Sequence, residues 1–278
     1  MSSHANGLPI CSLSTRVSRF LPAPKVCRIA HAANFDGVAL DYSSRPLPSP
    51  HVIAIELASV PLPVRSVWIP LTGPWTFWRP DRGASFASSV AVLTGAANLV
   101  TPLPHDHGGA LASLAIVRRM NDSRQDAPHT RHVLAVASTH LVGGRIHLRQ
   151  MTALRHLAEE WDFWLGLDLL GSIDPRWEAE AIVALLGPRL CLVRTDGAVL
   201  ARPTDSVSRP ARRALTAVID DGHPRDIVLR PSLQLPQQCW PKAVEQAGLT
   251  TLAHVKNRIA RVESERIIEL LPPSHHVG

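Results

Sequence analysis

The sequence predicts an α/β fold built on a mixed β-sheet. The chain has 278 residues, of which 45% are apolar, so it can bury a full hydrophobic core. Apolar runs of strand length recur along the whole chain, and segments with helical periodicity lie between some of them. Two of these runs are joined by one polar loop, which is typical of an antiparallel hairpin. Because a hairpin interrupts a regular βαβ alternation, a mixed sheet is favoured over a purely parallel one.

In the first half of the chain, four apolar runs are predicted to be strands. The run 51–57 is nearly continuous, as expected of a strand that is buried on both faces. The other three runs are 26–30, 88–94 and 110–118. The polar segment 120–131 is a predicted loop, and it leads to a further strand over 132–140 that completes the hairpin with 110–118.

In the second half, helices and strands are predicted to alternate. A helix follows Gly143-Gly144, because its apolar residues form one stripe: Met151, Leu154, Leu157 and Trp161. The apolar run 163–170 is a predicted strand that contains Asp168. Asp174-Pro175 then begins a helix, since Asp can cap free N–H groups and Pro suits the first helical position. That helix continues through 179–186 and ends at Gly187-Pro188.

Three elements are predicted near the C-terminus. They are a short strand over 226–230, a short helix over 240–247, and a segment over 258–271 that is either strand or helix. The whole chain is therefore predicted to be one domain from 26 to 278, preceded by a basic, flexible arm over 1–25.

The composition of the N-terminus bears on localisation. No acidic residue occurs from Met1 to Phe35, whereas basic residues and serines do, which resembles an organelle transit peptide. Prolines interrupt any continuous amphipathic helix there, so a simple basic arm is the alternative. No secretory signal and no run of ~18 apolar residues is seen, which predicts the cytoplasm or an organelle matrix.

The charged and thiol side chains exclude some classes of function. The net charge is +6, and all but three of the 29 basic residues are arginines, which suits phosphate or nucleic-acid recognition. A GC-rich genome would produce the same arginine bias. Four scattered cysteines without a CxxC pair favour neither a cysteine zinc site nor a disulfide framework.

A cluster of aromatic residues and arginines has two interpretations. It either stacks nucleic-acid bases or forms a Pro-rich loop that packs on its own tryptophans. Its members are Trp68, Trp75, Phe77, Trp78, Arg79 and Arg82.

An ordered series of motifs resembles the endonuclease/exonuclease/phosphatase superfamily, which has the DNase I-like fold. The motifs are 28–34, 50–57, 90–94, Ser138-Thr-His140-Leu141, Arg149-Gln150, Gly166-Leu-Asp168, 226–229 and Ser274-His-His276. The resemblance implies a four-layer sandwich, in which two mixed sheets pack face to face between helices. It also implies a hydrolase that cleaves a phosphodiester or phosphomonoester with Mg²⁺ or Mn²⁺ as cofactor.

The resemblance assigns catalytic roles to three residues. Asp168 would activate a water molecule, His140 would contact the phosphate or act as an acid or base, and His276 would be the terminal histidine of the site. Each also has a structural interpretation. His140 suits a hydrogen-bonded core, His276 suits a disordered tail, and Asp168 is a carboxylate in an apolar run that needs a partner in either case.

Metal and phosphate binding are assigned in the same way. Asn34 and Glu56 are the metal-site candidates, although the family's glutamate aligns with Leu57 and a shift of one residue turns a strand side chain to the other face. Arg145 and Arg149 would bind phosphate at the rim of the crevice. Asn34 could instead cap a turn, and Glu56 could be an ion-paired residue at an edge.

Two functions follow from the resemblance. The first is a divergent member with an impaired metal site, a pseudoenzyme that binds nucleic acid or a protein partner, because polar positions of the motifs are replaced at Leu57, Leu170 and His275. The second is an active Mg²⁺-dependent phosphodiesterase or nuclease. Both predict that Asn34, Asp168, His140 and His276 converge in one crevice.

Overall fold

Eight parallel strands form a closed barrel in the computed structural model of this chain. The structure describes residues 9–15, 22–42, 48–70, 80–103, 107–122, 129–137, 145–169, 179–196, 209–221, 225–230, 253, 255–258 and 260–261. The strands are β1 Ile10–Ser14, β2 Gly37–Asp41, β3 Val64–Trp68, β4 Asn98–Leu103, β5 Arg131–Ala137, β6 Trp164–Leu169, β7 Leu190–Asp196 and β8 Asp226–Arg230. Each strand pairs with its sequence neighbours, and β8 pairs with β1 to close the barrel.

Helices follow the strands in regular alternation. They are α1 Ala23–Ala32, α2 Pro50–Ala58, α3 Pro80–Thr94, α4 His107–Asp122, α5 Arg145–Glu160, α6 Ala179–Leu186 and α7 Arg209–Asp220. A 3₁₀ turn, Gly187–Arg189, joins α6 to β7. An all-parallel order with one helix after each of the first seven strands is the (β/α)₈, or TIM-barrel, arrangement. None of the helices in the described ranges is long and apolar enough to cross a membrane.

The predicted DNase I-like sandwich of two mixed sheets is therefore wrong. The error lies in the four apolar runs of the first half, which fall within α1, α2, α3 and α4. In α2, Ile53 and Leu57 are buried one turn apart, whereas Ile55 between them is 73% exposed. That exposed isoleucine made a helix look like a doubly buried strand, because an apolar residue on the outer face conceals the helical period.

Elements of the second half agree better with the sequence. The predicted strands at 132–140, 163–170 and 226–230 correspond to β5, β6 and β8. Two of the predicted helices correspond to α5 and α6. The predicted helix start at Asp174-Pro175, the helix predicted over 240–247 and most of the segment 258–271 lie outside the described residues. The proposed hairpin does not exist, because its first member is α4 and β5 pairs in parallel with β4 and β6. Residues 10–14, which lie within the stretch predicted to be an arm, form β1.

The barrel has two kinds of core. Apolar residues from the outward faces of the strands pack against the helices in two large clusters. A smaller cluster lines the inside and consists of Ala39, Trp68, Val100, Val133, Ala135, Cys191, Leu192 and Val228. Several of these side chains are small, so a few large ones must fill the interior. The largest of them is Trp68, near the carboxyl-terminal end.

Polar side chains cross the amino-terminal end of the barrel. Arg65 Nη2 donates to Asp226 Oδ1 at 3.2 Å, and Asn98 Nδ2 donates to the other carboxylate oxygen of Asp226. Burial raises the pKa of Asp226, although Arg65 opposes that shift. The stem of Arg65 passes over Gly37, where a Cβ atom would lie 2.3 Å from Arg65 Cγ and 2.9 Å from the carbonyl oxygen of Pro63.

Substituting Gly37→Ala should therefore destabilise the barrel. Overpacking of this kind lowers the free energy of unfolding by about 1–3 kcal/mol, which urea denaturation would measure. The same substitution in an Arg65→Ala background removes the collision with Cγ, so the loss there should be smaller. An unchanged urea midpoint for Gly37→Ala would show that Arg65 does not lie over Gly37.

Candidate functional site

The carboxyl ends of all eight strands share one end of the barrel, because every strand is parallel to its neighbours. TIM-barrel enzymes carry their active sites at this end, on the last residues of the strands and the loops that follow. Asp41, Trp68, Asp168 and Arg194 lie at or near the carboxyl ends of β2, β3, β6 and β7. We call these four residues the mouth cluster.

An arginine links two aspartates within the mouth cluster. Arg194 Nε donates to Asp168 Oδ1 at 3.1 Å, and Arg194 Nη2 donates to Asp168 Oδ2. Arg194 Nη1 donates to Asp41 Oδ2 at 3.0 Å. The contact with Asp168 is thus bidentate, the geometry in which a planar guanidinium matches a carboxylate best.

The guanidinium extends across the barrel. β6 is the direct neighbour of β7, but β8 and β1 lie between β7 and β2, so Arg194 reaches Asp41 over the centre of the mouth. Its Cζ atom lies 3.6 Å from the centroid of the Trp68 ring, which is a cation–π contact. The backbone N–H of Asp41 donates to Thr15 Oγ1 at 2.9 Å and so anchors the far side of the cluster to the segment after β1.

The mouth cluster is buried and ionic. Arg194 is 5% exposed, and both aspartates are also buried. Burial by itself lowers the pKa of Arg194, but the charges and hydrogen bonds of Asp168 and Asp41 outweigh it and raise the pKa above its ordinary value. The guanidinium is therefore charged, and with two carboxylates the cluster carries a net charge of −1.

The strand periodicity explains why these side chains meet. Alternate residues of a barrel strand face inward, so Ala39 and Asp41 share one face of β2, and Gly166 and Asp168 share one face of β6. Ala39, Ala135 and Gly166 are small residues in the inner part of the barrel. A Cβ atom at Gly166 would lie 3.2 Å from Val133 Cγ1, so a larger residue there would crowd the interior.

The predicted site residues do not converge as a group among the described residues. Asp168 lies in the mouth cluster, and its predicted need for a buried partner is met by Arg194. Asn34, with a φ of 57°, follows α1 at the opposite end of the barrel, and its carbonyl accepts a hydrogen bond from Lys256 Nζ at 3.1 Å. Glu56 is exposed on the outer helix α2.

The remaining predicted residues cannot be placed in a site. His140 and His276 lie outside the described residues. Arg145 and Arg149 are within α5, but their side chains are not described. Of the aromatic cluster, Trp68 is in the mouth, whereas Trp75, Phe77 and Trp78 fall outside the described residues.

Asp41 and Arg194 were not identified from the sequence, although a signal existed. Asp41 ends the apolar run Gly37–Asp41, as Asp168 nearly ends Trp164–Leu169. Arg194 is a charged residue within the apolar run Leu190–Asp196. A charge in such a run needs a buried partner of opposite sign. The sequence therefore offered Arg194 as a partner for Asp41 and Asp168.

The predicted Mg²⁺ or Mn²⁺ does not fit the mouth cluster. A hard divalent cation needs about six oxygen ligands, and the two carboxylates here are both hydrogen-bonded to Arg194. Within the part of the chain that the structure describes, no group of three or more His, Cys, Asp and Glu side chains could hold a metal ion.

The described cysteines are poorly suited to act as nucleophiles. Cys11, Cys27 and Cys191 are free and buried. Burial is the largest cause of the raised pKa of each, which lies at about 12 for all three thiols. At neutral pH these side chains are therefore thiols, and a thiol is a poor nucleophile.

Comparisons with known proteins identify the fold. No protein-family model matches the chain, and no curated protein sequence matches it. An L-ribulose 3-epimerase structure superimposes with a TM-score of 0.65 and 11% identity, covering 96% of this chain and 100% of its own. An AP endonuclease of family 2 from Brucella melitensis has a TM-score of 0.58 and 15% identity, covering 85% of this chain and 97% of its own.

A third structure is a xylose isomerase-like TIM barrel/4-hydroxyphenylpyruvate dioxygenase fusion protein. It matches with a TM-score of 0.62 and 15% identity over 96% of this chain, which spans 46% of the fusion protein's length. Identities this low show the fold alone, which is a TIM barrel. They overturn the predicted membership of the endonuclease/exonuclease/phosphatase superfamily, and with it the pseudoenzyme and phosphodiesterase functions that rested on a DNase I-like fold.

Proposed function

We propose that this chain binds a sugar or sugar phosphate in the barrel mouth and catalyses its isomerisation or epimerisation. The observation that carries the proposal is the buried Asp41–Arg194–Asp168 network at the carboxyl-terminal end of the barrel. It combines carboxylates that can accept protons with a fixed cation, at the end of the fold where enzymes of this kind do chemistry. The similar epimerase structure supports the choice of substrate.

The proposed reaction needs a base and a stabilised oxyanion. A base removes the proton from the carbon next to a sugar carbonyl. The electron pair of that C–H bond forms the C=C bond of an enediolate, and the π electron pair of the carbonyl moves onto its oxygen. In isomerisation, the proton returns to the neighbouring carbon and the hydroxyl proton of that carbon passes to the enediolate oxygen. In epimerisation, an acid on the opposite face gives a proton to the same carbon. The two reactions share the first proton abstraction.

Asp168 and Arg194 suit these two roles. Of the two aspartates, Asp168 is the more exposed, with 12% of its side chain accessible against 3% for Asp41. It is therefore the carboxylate that a substrate reaches first. Hydrogen bonds to the aspartates use three of the five N–H groups of Arg194. The guanidinium thus retains donors for the developing enediolate oxygen, and Asp41 holds it in position.

The experiment measures proton abstraction directly. The protein is incubated with a panel of aldoses, ketoses and their phosphates in D₂O, and incorporation of deuterium at the carbon next to the carbonyl is followed by ¹H NMR. We expect enzyme-dependent incorporation with at least one substrate, and a loss of at least about 100-fold in Asp168→Asn, since a positioned base contributes about 10²–10⁴-fold.

A matched control makes the same chemical change on the surface. Glu180, on α6, forms an exposed ion pair with Arg213 on α7, so Glu180→Gln should leave exchange unchanged. Duplex DNA with an abasic site is a parallel substrate, and it also tests the nucleic-acid partner expected from the positive charge. Cleavage of that DNA without deuterium incorporation into any sugar would overturn the proposal.

A further inference from the structure

We infer that Arg194 is a built-in cation that takes the place of a divalent metal ion at this site, so that the mouth cluster functions without Mg²⁺ or Mn²⁺. The inference deepens the proposed function because it concerns the same residues. It is nevertheless tested by metal binding, which can be read without any turnover.

The first argument is geometric. A metal ion that Asp41 and Asp168 shared would lie between their carboxylate oxygens. Arg194 fills that space with its Nη1 atom on one carboxylate and its Nε and Nη2 atoms on the other. A metal ion and the guanidinium cannot occupy the same volume, so binding of the ion would require Arg194 to leave.

The second argument is that Arg194 is held in place. Trp68 covers one face of the guanidinium at 3.6 Å, and the bidentate contact fixes its rotation. The Thr15 hydroxyl anchors the backbone of Asp41. Moving Arg194 aside would break three hydrogen bonds and the aromatic contact, and would leave two buried carboxylates facing each other.

The third argument is electrostatic. Without the guanidinium, the buried cluster would carry a charge of −2, and such a pair must recruit a cation or protons. Arg194 reduces that charge to −1 from within the chain. A fixed guanidinium can also stabilise the negative charge of an enediolate oxygen, as a metal ion does when it acts as a Lewis acid.

The test titrates Mn²⁺ into metal-free protein and follows bound ion by electron paramagnetic resonance. We expect the wild type and Asp168→Asn to show the same Mn²⁺ binding, because the wild-type mouth cluster holds no Mn²⁺. Arg194→Ala should gain about one bound Mn²⁺ per chain, and the double variant Arg194→Ala/Asp168→Asn should lose it again. Glu180→Gln is the surface control and should match the wild type. A wild-type site with one Mn²⁺ per chain that Asp168→Asn abolishes would overturn the inference.

A second measurement covers the case in which Arg194→Ala does not fold. The deuterium-exchange assay is run on the wild type with a chelator present and again with added Mn²⁺. Exchange that is unchanged by the chelator supports the inference. Exchange that requires added Mn²⁺ contradicts it and leaves the proposed function standing. Conversely, the expected Mn²⁺ pattern without exchange on any sugar contradicts the proposed function and leaves the inference standing.

Discussion

Replacing Arg194 by methionine should lower the free energy of unfolding by about 3–5 kcal/mol at pH 7, because removing one partner leaves buried charges uncompensated. The methionine side chain fills a similar volume and can still pack on Trp68, so the loss reports the missing charge and hydrogen bonds. Asp41 and Asp168 would remain as two buried carboxylates with no cation between them. Urea denaturation at several pH values measures the effect.

The pH dependence of this variant has a definite sign. Two buried carboxylates that repel each other are less stable than their protonated forms, so the folded variant favours the binding of protons more than the solvated unfolded chain does. The variant should therefore regain stability as the pH is lowered and lose stability as the pH is raised.

A neutral control separates charge from packing. In the triple variant Asp41→Asn/Asp168→Asn/Arg194→Met the mouth cluster holds no charge, so much of the lost stability should return, as it does when a buried ion network is replaced as a whole. If Arg194→Met matches the wild type at pH 7, the ionic network does not exist as described. If it is destabilised equally at every pH, the loss comes from packing and not from the carboxylates.

The substitution Arg225→Met should lower the free energy of unfolding by an amount comparable to that expected for Arg194→Met. The Arg225 side chain is fully buried and donates to three carbonyl oxygens: Nε to Leu190 at 2.9 Å, Nη1 to Val218 at 2.9 Å and Nη2 to Gly187 at 3.2 Å. It thereby ties the end of α6, the start of β7 and α7 together. Each buried acceptor left without a donor costs about 1–3 kcal/mol, so we expect the three together to cost at least about 3 kcal/mol.

The chemistry of Arg225 makes lysine a poor substitute. Burial lowers the pKa of Arg225, and the nearby Asp221 carboxylate opposes that shift. A lysine ammonium is a point charge that cannot reach three separate carbonyls as a planar fork does, so Arg225→Lys should recover only part of the loss. Arg213→Met is the control, because Arg213 is exposed and pairs only at the surface with Glu180. Equal thermal midpoints for the Arg225 and Arg213 variants would contradict the prediction.

Local patterns predicted much of the second half of the fold. The stripe in α5, the apolar run of β6 and the Gly-Pro stop after α6 are signals that neighbouring residues generate together. The first half was misassigned because α2 and α3 carry exposed apolar residues such as Ile55 and Val92, which hide the helical period. Because these helices were interpreted as strands, the regular alternation of strand and helix that is typical of a barrel was not recognised.

The candidate site was partly visible. Asp168 stood out because an aspartate in an apolar run must find a partner, and that partner exists. Motif order, however, grouped it with Asn34, which lies at the opposite end of the barrel. Sequence order does not say which ends of two elements meet, whereas closure of parallel strands brings all carboxyl ends to one side.

The sequence by itself determined an α/β protein with a full core, several of its helices and strands, and a buried carboxylate at Asp168. These features depend on residues close together in the chain, whose side chains share a strand face or a helix stripe. Only the tertiary structure decided that Arg194 is the partner, that it also reaches Asp41, and that Trp68 covers it. Asp41 and Arg194 are 153 residues apart and meet because β8 closes on β1, a long-range pairing that no local pattern encodes.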